Sequence, residues 1–177
     1  MSHWNKQCEE ILNKQINLEY WASYQYDYMW SYFDRDDVGL VNIAEYFKKA
    51  ANEEREHAHK FIEYQNMRGG KVLLTNIENV DLNFLCASVK NQDVLLSYKK
   101  ALEMEEKVYN HLLELHKVAD DCKDPQFTDF IEGTFLNEQI EAMNEIKKYI
   151  SQLNRIGENG HGVWDFGNSL SVGVCVE

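Results

Sequence analysis

Along four segments of this 177-residue chain, apolar residues recur at alternating steps of four and three. That spacing lays side chains on one face of a helix. From about Asn5 to Arg35 the shared face carries Leu12, Ile16, Glu19, Ser23, Tyr26, Trp30 and Phe33; from about Leu40 to Arg68 it carries Phe47, Ala50, Glu54, His57, Phe61 and Tyr64. A third stripe, from about Asn91 to Ala119, reads Val94, Tyr98, Ala101, Glu105, Val108, Leu112 and Leu115. The fourth starts at Asp124-Pro125, where a carboxylate can cap free N–H groups and proline suits the first helical position. It continues through Glu132, Phe135, Gln139, Ala142, Ile146, Tyr149 and Leu153. The pattern predicts four amphipathic helices.

The connections are unequal. Asp34 to Gly39 reads as a short charged turn. Gly69 and Gly70 stop the second helix, and Gly69 to about Lys90 shows no sustained helical stripe. A connection of that length is uncommon unless it crosses the domain. At up to ~3.3 Å per residue it can run the ~40 Å length of the preceding helix, so the third helix starts beside the start of the second. Gly157, Gly160 and Gly162 end the fourth helix, leaving a tail with a possible last helical piece near Val163 to Val172. The fold class expected is all-α: a four-helix bundle at about residues 5–156 with one long crossover, followed by a short, irregular C-terminal helix or tail at 157–177, all in one domain.

Each stripe is broken near its middle by polar residues: Glu19, then Glu54 with His57, then Glu105, then Gln139. Helices of matched length packed antiparallel bring their midpoints to one depth. Buried carboxylates cost several kcal/mol each unless paired or bound to metal. Lys and Arg are absent from the central turns of these stripes, so a bound cation is the economical partner. Three carboxylates and one imidazole form a hard donor set that suits Fe, Mn or Mg better than a closed zinc site. Taken singly, an E-x-x-H in a charged helix or a mid-helix Glu is most often a solvated face; four breaks at one depth are not.

Composition narrows the partners. A net charge of −12 argues against a nucleic-acid surface and for attraction of cations. With no apolar run approaching ~20 residues, no membrane span is expected. The N-terminus MSHWNKQCEE has no signal-like basic and apolar regions, so the expected compartment is the cytoplasm. Cys8, Cys86, Cys122 and Cys175 form no CxxC pair and read as reduced thiols.

Extended stretches then resemble the animal ferritins, heavy-chain type: INLEYWASYQYDYMWSYFDRDDV (Ile16 to Val38), EEREHAHKFIEYQNMRGG (Glu53 to Gly70), LLELHKVADDCKDPQFTDFIEG (Leu112 to Gly133) and FLNEQ (Phe135 to Gln139). The resemblance implies a ferroxidase that stores and detoxifies iron, oxidising Fe(II) with dioxygen at a dinuclear site. By motif it makes Glu19, Glu54 (bridging), His57 and Glu105 the iron ligands, with Tyr26 beside them and Gln139 at the second iron. Glu53 takes the place of a transit ligand. Light-chain ferritins alter these positions, so the chain is similar to the catalytic type. The resemblance also implies a hollow shell of 24 subunits, homo-oligomeric or mixed with other ferritin subunits, with three-fold channels lined here by His116, Asp129 and Glu132. Three alternatives stay open: a storage-only ferritin subunit, which would lack a ligand, another dinuclear carboxylate oxidase, which usually carries a second E-x-x-H absent from FLNEQIEAM, and a metal-free helical interaction module, which an iron assay and a size measurement would eliminate. Three departures are visible. His59 stands where a cavity-facing glutamate is usual, the crossover is longer around Asn79 to Ser88, and the tail only faintly resembles the usual fifth helix.

Overall fold

The computed structural model describes residues 4–78, 85, 92–157 and 160–172, of which 171 and 172 are described by backbone alone. Helix α1 spans Lys6–Phe33 and begins where the Asn5 side chain accepts the Gln7 N–H at 2.8 Å. Helix α2 spans Val41–Met67 and helix α3 spans Asp93–Asp121. The fourth rod has three parts: α4 (Pro125–Ile131), a π-helical turn (Glu132–Leu136) and α5 (Asn137–Ile156). As the Asp-Pro pair predicts, the Asp124 carboxylate accepts the Phe127 N–H at 3.0 Å. A last helix, α6, spans Gly160–Val172. Among the described residues no helix is long and apolar enough to cross a membrane.

Contacts between rods fix their directions. Tyr26 donates to Glu105 and Tyr32 to Asp93, so α1 runs antiparallel to α3. Tyr20 meets His59 and Phe33 stacks on Phe47, so α1 is antiparallel to α2, while Phe61 stacks on Phe135 and Tyr46 meets Tyr149 across α2 and the fourth rod. Helices α2 and α3 are therefore parallel, which demands the crossover. Two asparagines one turn apart on α1 hold its first half. Asn13 donates to the Lys71 carbonyl and accepts the Leu73 N–H; Asn17 donates to the Leu73 carbonyl and accepts the Thr75 N–H, at 2.8 to 2.9 Å. Each side-chain amide pairs with extended backbone as a neighbouring strand would, meeting the polar needs of a segment that lacks regular structure. The predicted extra piece at Asn79 to Ser88 lies outside the described residues except for Leu85, which is buried.

The fourth stripe needs correction. Its buried positions are Phe127, Ile131, Phe135 and Gln139, each four apart, followed by Met143, Ile146 and Leu153, while Glu132 is exposed. An α-helix cannot keep consecutive steps of four on one face without drift. The π turn adds a residue to one turn and rotates α5 by about 100° relative to α4, so Phe127 and Gln139 face the same core.

The short C-terminal helix expected near Val163 to Val172 is helix α6: Gly167 lies inside it, yet 13 residues are helical, and Val163 and Phe166 are buried. Gly157, at φ +68°, lets the chain turn back at the end of α5. Phe166 then meets Tyr98 and Tyr149 edge-on, with ring centroids 5.7 and 5.6 Å apart. Gly167 faces Ile43 of α2. Apolar burial offsets the helix propensity lost at glycine.

At the other end of the bundle, Cys8 and Cys122 come within side-chain contact despite their separation in sequence, and burial pushes the Cys8 thiol up to about 12. Both are free thiols; Cys86 and Cys175 lie outside the described residues.

Candidate metal centre

The polar breaks in the stripes do converge. Ligand atoms of Glu19 on α1 and of Glu54 and His57 on α2 all lie within 4.8 Å of one another. Glu54 and His57 belong to consecutive turns, and His57 Nδ1 is 3.9 Å from Glu54 Oε2. Exposure is 1% for Glu19, 5% for Glu54 and 8% for His57, so water compensates little of the charge. Burial raises Glu19 well above the ordinary carboxylate range and the nearby Glu54 charge adds to it; burial likewise raises Glu54, reinforced by Glu105.

Hydrogen bonds divide each carboxylate. Glu19 Oε1 accepts the Gln15 amide N–H at 2.6 Å, while Oε2 of Glu19 and Oε2 of Glu54 have no donor among the described residues. Two buried, donorless carboxylate oxygens beside an imidazole nitrogen are a poor protein core and a suitable cation site. Residues so arranged could hold a hard divalent metal.

Glu105 and Gln139 stand beside this trio as a second group. Tyr26 donates to Glu105 Oε1 at 2.5 Å, and the Gln139 amide N–H donates to Glu105 Oε2. Burial raises Glu105, and these two donors partly hold it down. Glu105 is thus turned toward its donors, outside the trio of close ligand atoms. Tyr26→Phe removes one donor from a carboxylate only 5% exposed. The expected cost is about 1 to 3 kcal/mol in the metal-free protein, read as a shift in urea midpoint at constant slope.

A cleft of about 720 Å³ reaches the group between α2 and α5. It is lined by Tyr26, Glu54, His57, Glu105 and Gln139 together with exposed Glu53, Glu138, Glu141 and Glu145. Glu138 was not legible as a site residue, although its Oε1 lies 3.3 Å from His57 Nε2. It precedes Gln139 and reads as surface; only the π turn and the gap between α2 and α5 bring it to His57. Gln15 carries no signal for another reason: it sits one turn before Glu19 on the same helix but between the apolar positions of the stripe.

The proposed channel residues lie away from this centre. Asp129 and Glu132 are exposed, and half-buried His116 has its Nε2 2.6 Å from Glu132 Oε1. The subunit thus joins His116 to Glu132 but leaves Asp129 apart. His59 is exposed on α2 and faces Tyr20 edge-on.

Comparison with known proteins gives the family of the chain. The profile of the Ferritin family, described as a ferritin-like domain, matches residues 9–156. Among curated relatives, "Ferritin, chloroplastic" of Phaseolus vulgaris is 49% identical over 164 residues, covering 93% of this chain and 63% of the relative. "Ferritin, chloroplastic" of Malus baccata var. xiaojinensis is 48% identical, with 93% and 64% covered, and "Ferritin-2, chloroplastic" of Zea mays is 48% identical, with 92% and 64% covered. The chain spans a little under two thirds of the length of these relatives. The expectation of a cytoplasmic protein is corrected by this finding, since the relatives are plastid proteins by name. The sequence-based likeness to animal heavy chains holds at the level of the family, through plant relatives. With its four-rod bundle, long crossover and the profile match over most of its length, the chain belongs to the ferritin family.

Proposed function

We propose that this chain is a catalytic ferritin subunit that binds Fe(II) at the convergence of Glu19, Glu54, His57 and Glu105, oxidises it with dioxygen and passes ferric iron into the cavity of a 24-subunit shell. The observation that carries the reading is the pair of donorless oxygens on Glu19 and Glu54 within 4.8 Å of a His57 nitrogen. A storage-only subunit has no need to keep such a costly group in its core.

In this reading iron is the substrate. Glu19 and His57 hold one Fe(II), Glu105 the other, and Glu54 lies between them, the arrangement used by two-metal sites ~3.5–4 Å apart. Two Fe(II) give one electron each, and with two protons one dioxygen becomes one hydrogen peroxide. Tyr26 orients Glu105 through its 2.5 Å hydrogen bond, and Gln139 holds the opposite oxygen. Glu53 and Glu138, which line the cleft, would take up iron leaving the centre. Asp129, Glu132 and His116 would line the intake channel once three subunits meet, since rings of acidic side chains favour cations. The whole chain acts as one ferritin-like domain, and the names of the relatives favour a plastid.

The test is aerobic addition of Fe(II) to purified metal-free protein, followed by ferric absorbance, oxygen uptake and light scattering. Expected are rapid oxidation at two Fe(II) per subunit and a particle of shell size. Oxidation no faster than in buffer alone would sink the catalytic reading, and a small oligomer would sink the shell.

A further inference from the structure

Glu19 is held by more than its own helix. Its Oε1 accepts the Gln15 Nε2–H at 2.6 Å, and Gln15 Oε1 lies 2.5 Å from Nδ1 of His111 on α3. Gln15 is completely buried and His111 half-buried. The arm runs from the carboxylate through the interface of α1 and α3 toward a surface that carries Lys14, Lys107 and Glu114. No role for Gln15 or His111 follows from the proposed iron ligands.

The chemistry of the three groups fixes the direction of both bonds. With a cation bound Glu19 is ionised, and an ionised carboxylate only accepts, so Gln15 must present its NH₂ to Glu19. Its carbonyl oxygen then points at His111 and can only accept, so His111 must carry a proton on Nδ1. Burial lowers the His111 proton affinity, so at neutral pH the ring is neutral and has a single N–H to place. Without that donor, nothing prevents the Gln15 amide from rotating and setting its oxygen against the Glu19 carboxylate.

We infer that Gln15 and His111 form a positioning arm that locks Glu19 Oε1 and leaves Oε2 as its one ligand atom facing Glu54 and His57. The arm plays for Glu19 the part that Tyr26 and Gln139 play for Glu105. Outer partners of this kind typically change metal affinity by ~10 to 100-fold when removed. His111 is a positioning residue, and it works from the side of the bundle opposite the cleft, whose walls are α2 and α5.

This inference rests on the proposed iron site, and Co(II) separates the two without turnover. Anaerobic Co(II) titrations of the assembled, metal-free protein would follow the visible ligand-field bands and the binding isotherm for the wild type, Glu19→Ala, His111→Leu and His111→Asn. His111→Leu should weaken Co(II) binding ~10-fold or more and shift the bands, in a protein that still assembles. His111→Asn, whose side-chain N–H can replace Nδ1–H, should restore the wild-type spectrum and most of the affinity. Wild-type affinity and bands in His111→Leu would overturn the arm, as would equal losses in the Leu and Asn variants. Should His111→Leu fail to assemble, Gln15→Met removes the donor from the Glu19 side and must show the same loss. If Glu19→Ala binds Co(II) as the wild type does, the site itself is misplaced and the arm falls with it.

Discussion

Replacing Glu54 or His57 by alanine is expected to abolish rapid Fe(II) oxidation while the protein still folds and assembles. In the proposed arrangement Glu54 would be shared by both irons, so its loss removes a ligand from each. Outer partners alone are worth ~10 to 100-fold, and loss of a ligand should reach or exceed the upper value. Stability should move the other way. The Glu54 side chain is buried beside other carboxylates and has an oxygen without a donor. Removing it relieves repulsion at the cost of a small cavity.

The sign of the pH effect is set by the same shifts. Burial raises Glu19, Glu54 and Glu105 in the folded chain above their unfolded values. The folded state therefore binds more protons, and the metal-free protein loses stability as pH rises from the ordinary carboxylate range through the raised values. Urea unfolding with chelator between about pH 5 and 8 should show that decline, and Glu54→Gln should flatten it. Wild-type oxidation rates in either alanine variant would refute the assignment. Metal-free stability that rises with pH across this range would refute the electrostatic account.

Phe166→Ala should destabilise the subunit by about 3 kcal/mol, the lower end of the usual cost for a buried phenylalanine. Phe166 is 4% exposed and meets both Tyr98 and Tyr149, so its removal opens a void where α6 meets α3 and α5. For a chain of this size the corresponding fall in melting temperature is roughly 6 to 12 °C. Gly167→Ala, one residue further on, should be neutral or stabilising by up to about 1 kcal/mol. An added Cβ would meet Ile43 Cγ1 at 3.4 Å, an ordinary contact, while alanine restores helix propensity. Differential scanning calorimetry on assembled protein would decide both. An unchanged melting temperature for Phe166→Ala would mean that α6 adds nothing to the bundle. A large loss for Gly167→Ala would mean that α6 packs more closely on α2 than Ile43 indicates.

The helices and the polar breaks at Glu19, Glu54, His57 and Glu105 were legible because each is a local signal on its own helix, and the long crossover because its stretch shows no such signal. A stripe of period 3.6 reports one buried face, and a carboxylate breaking that stripe at mid-helix reports a buried charge wherever the helix packs. Glu19, Glu54, His57 and Glu105 could be named from spacing and the cost of burial alone, before any partner was known. The Asp124 cap was legible for the same reason, since capping acts within one turn.

What tertiary structure decided has no local period. The π turn rests on a single inserted residue that preserves a face from Phe127 to Gln139, and nothing in EGTFL marks it. Glu138 reads as surface and becomes a neighbour of His57 only because α5 stands across the cleft from α2. His111 reads as one more helical histidine until antiparallel packing places it against Gln15, 96 positions earlier in the chain. Helix α6 overrides the propensity of its glycines because the end of the bundle offers Tyr98, Tyr149 and Ile43 to cover. The residues that can bind metal are set by chemistry each carries alone, whereas the residues that hold them in place are set by pairings between rods, which exist only after the chain has folded.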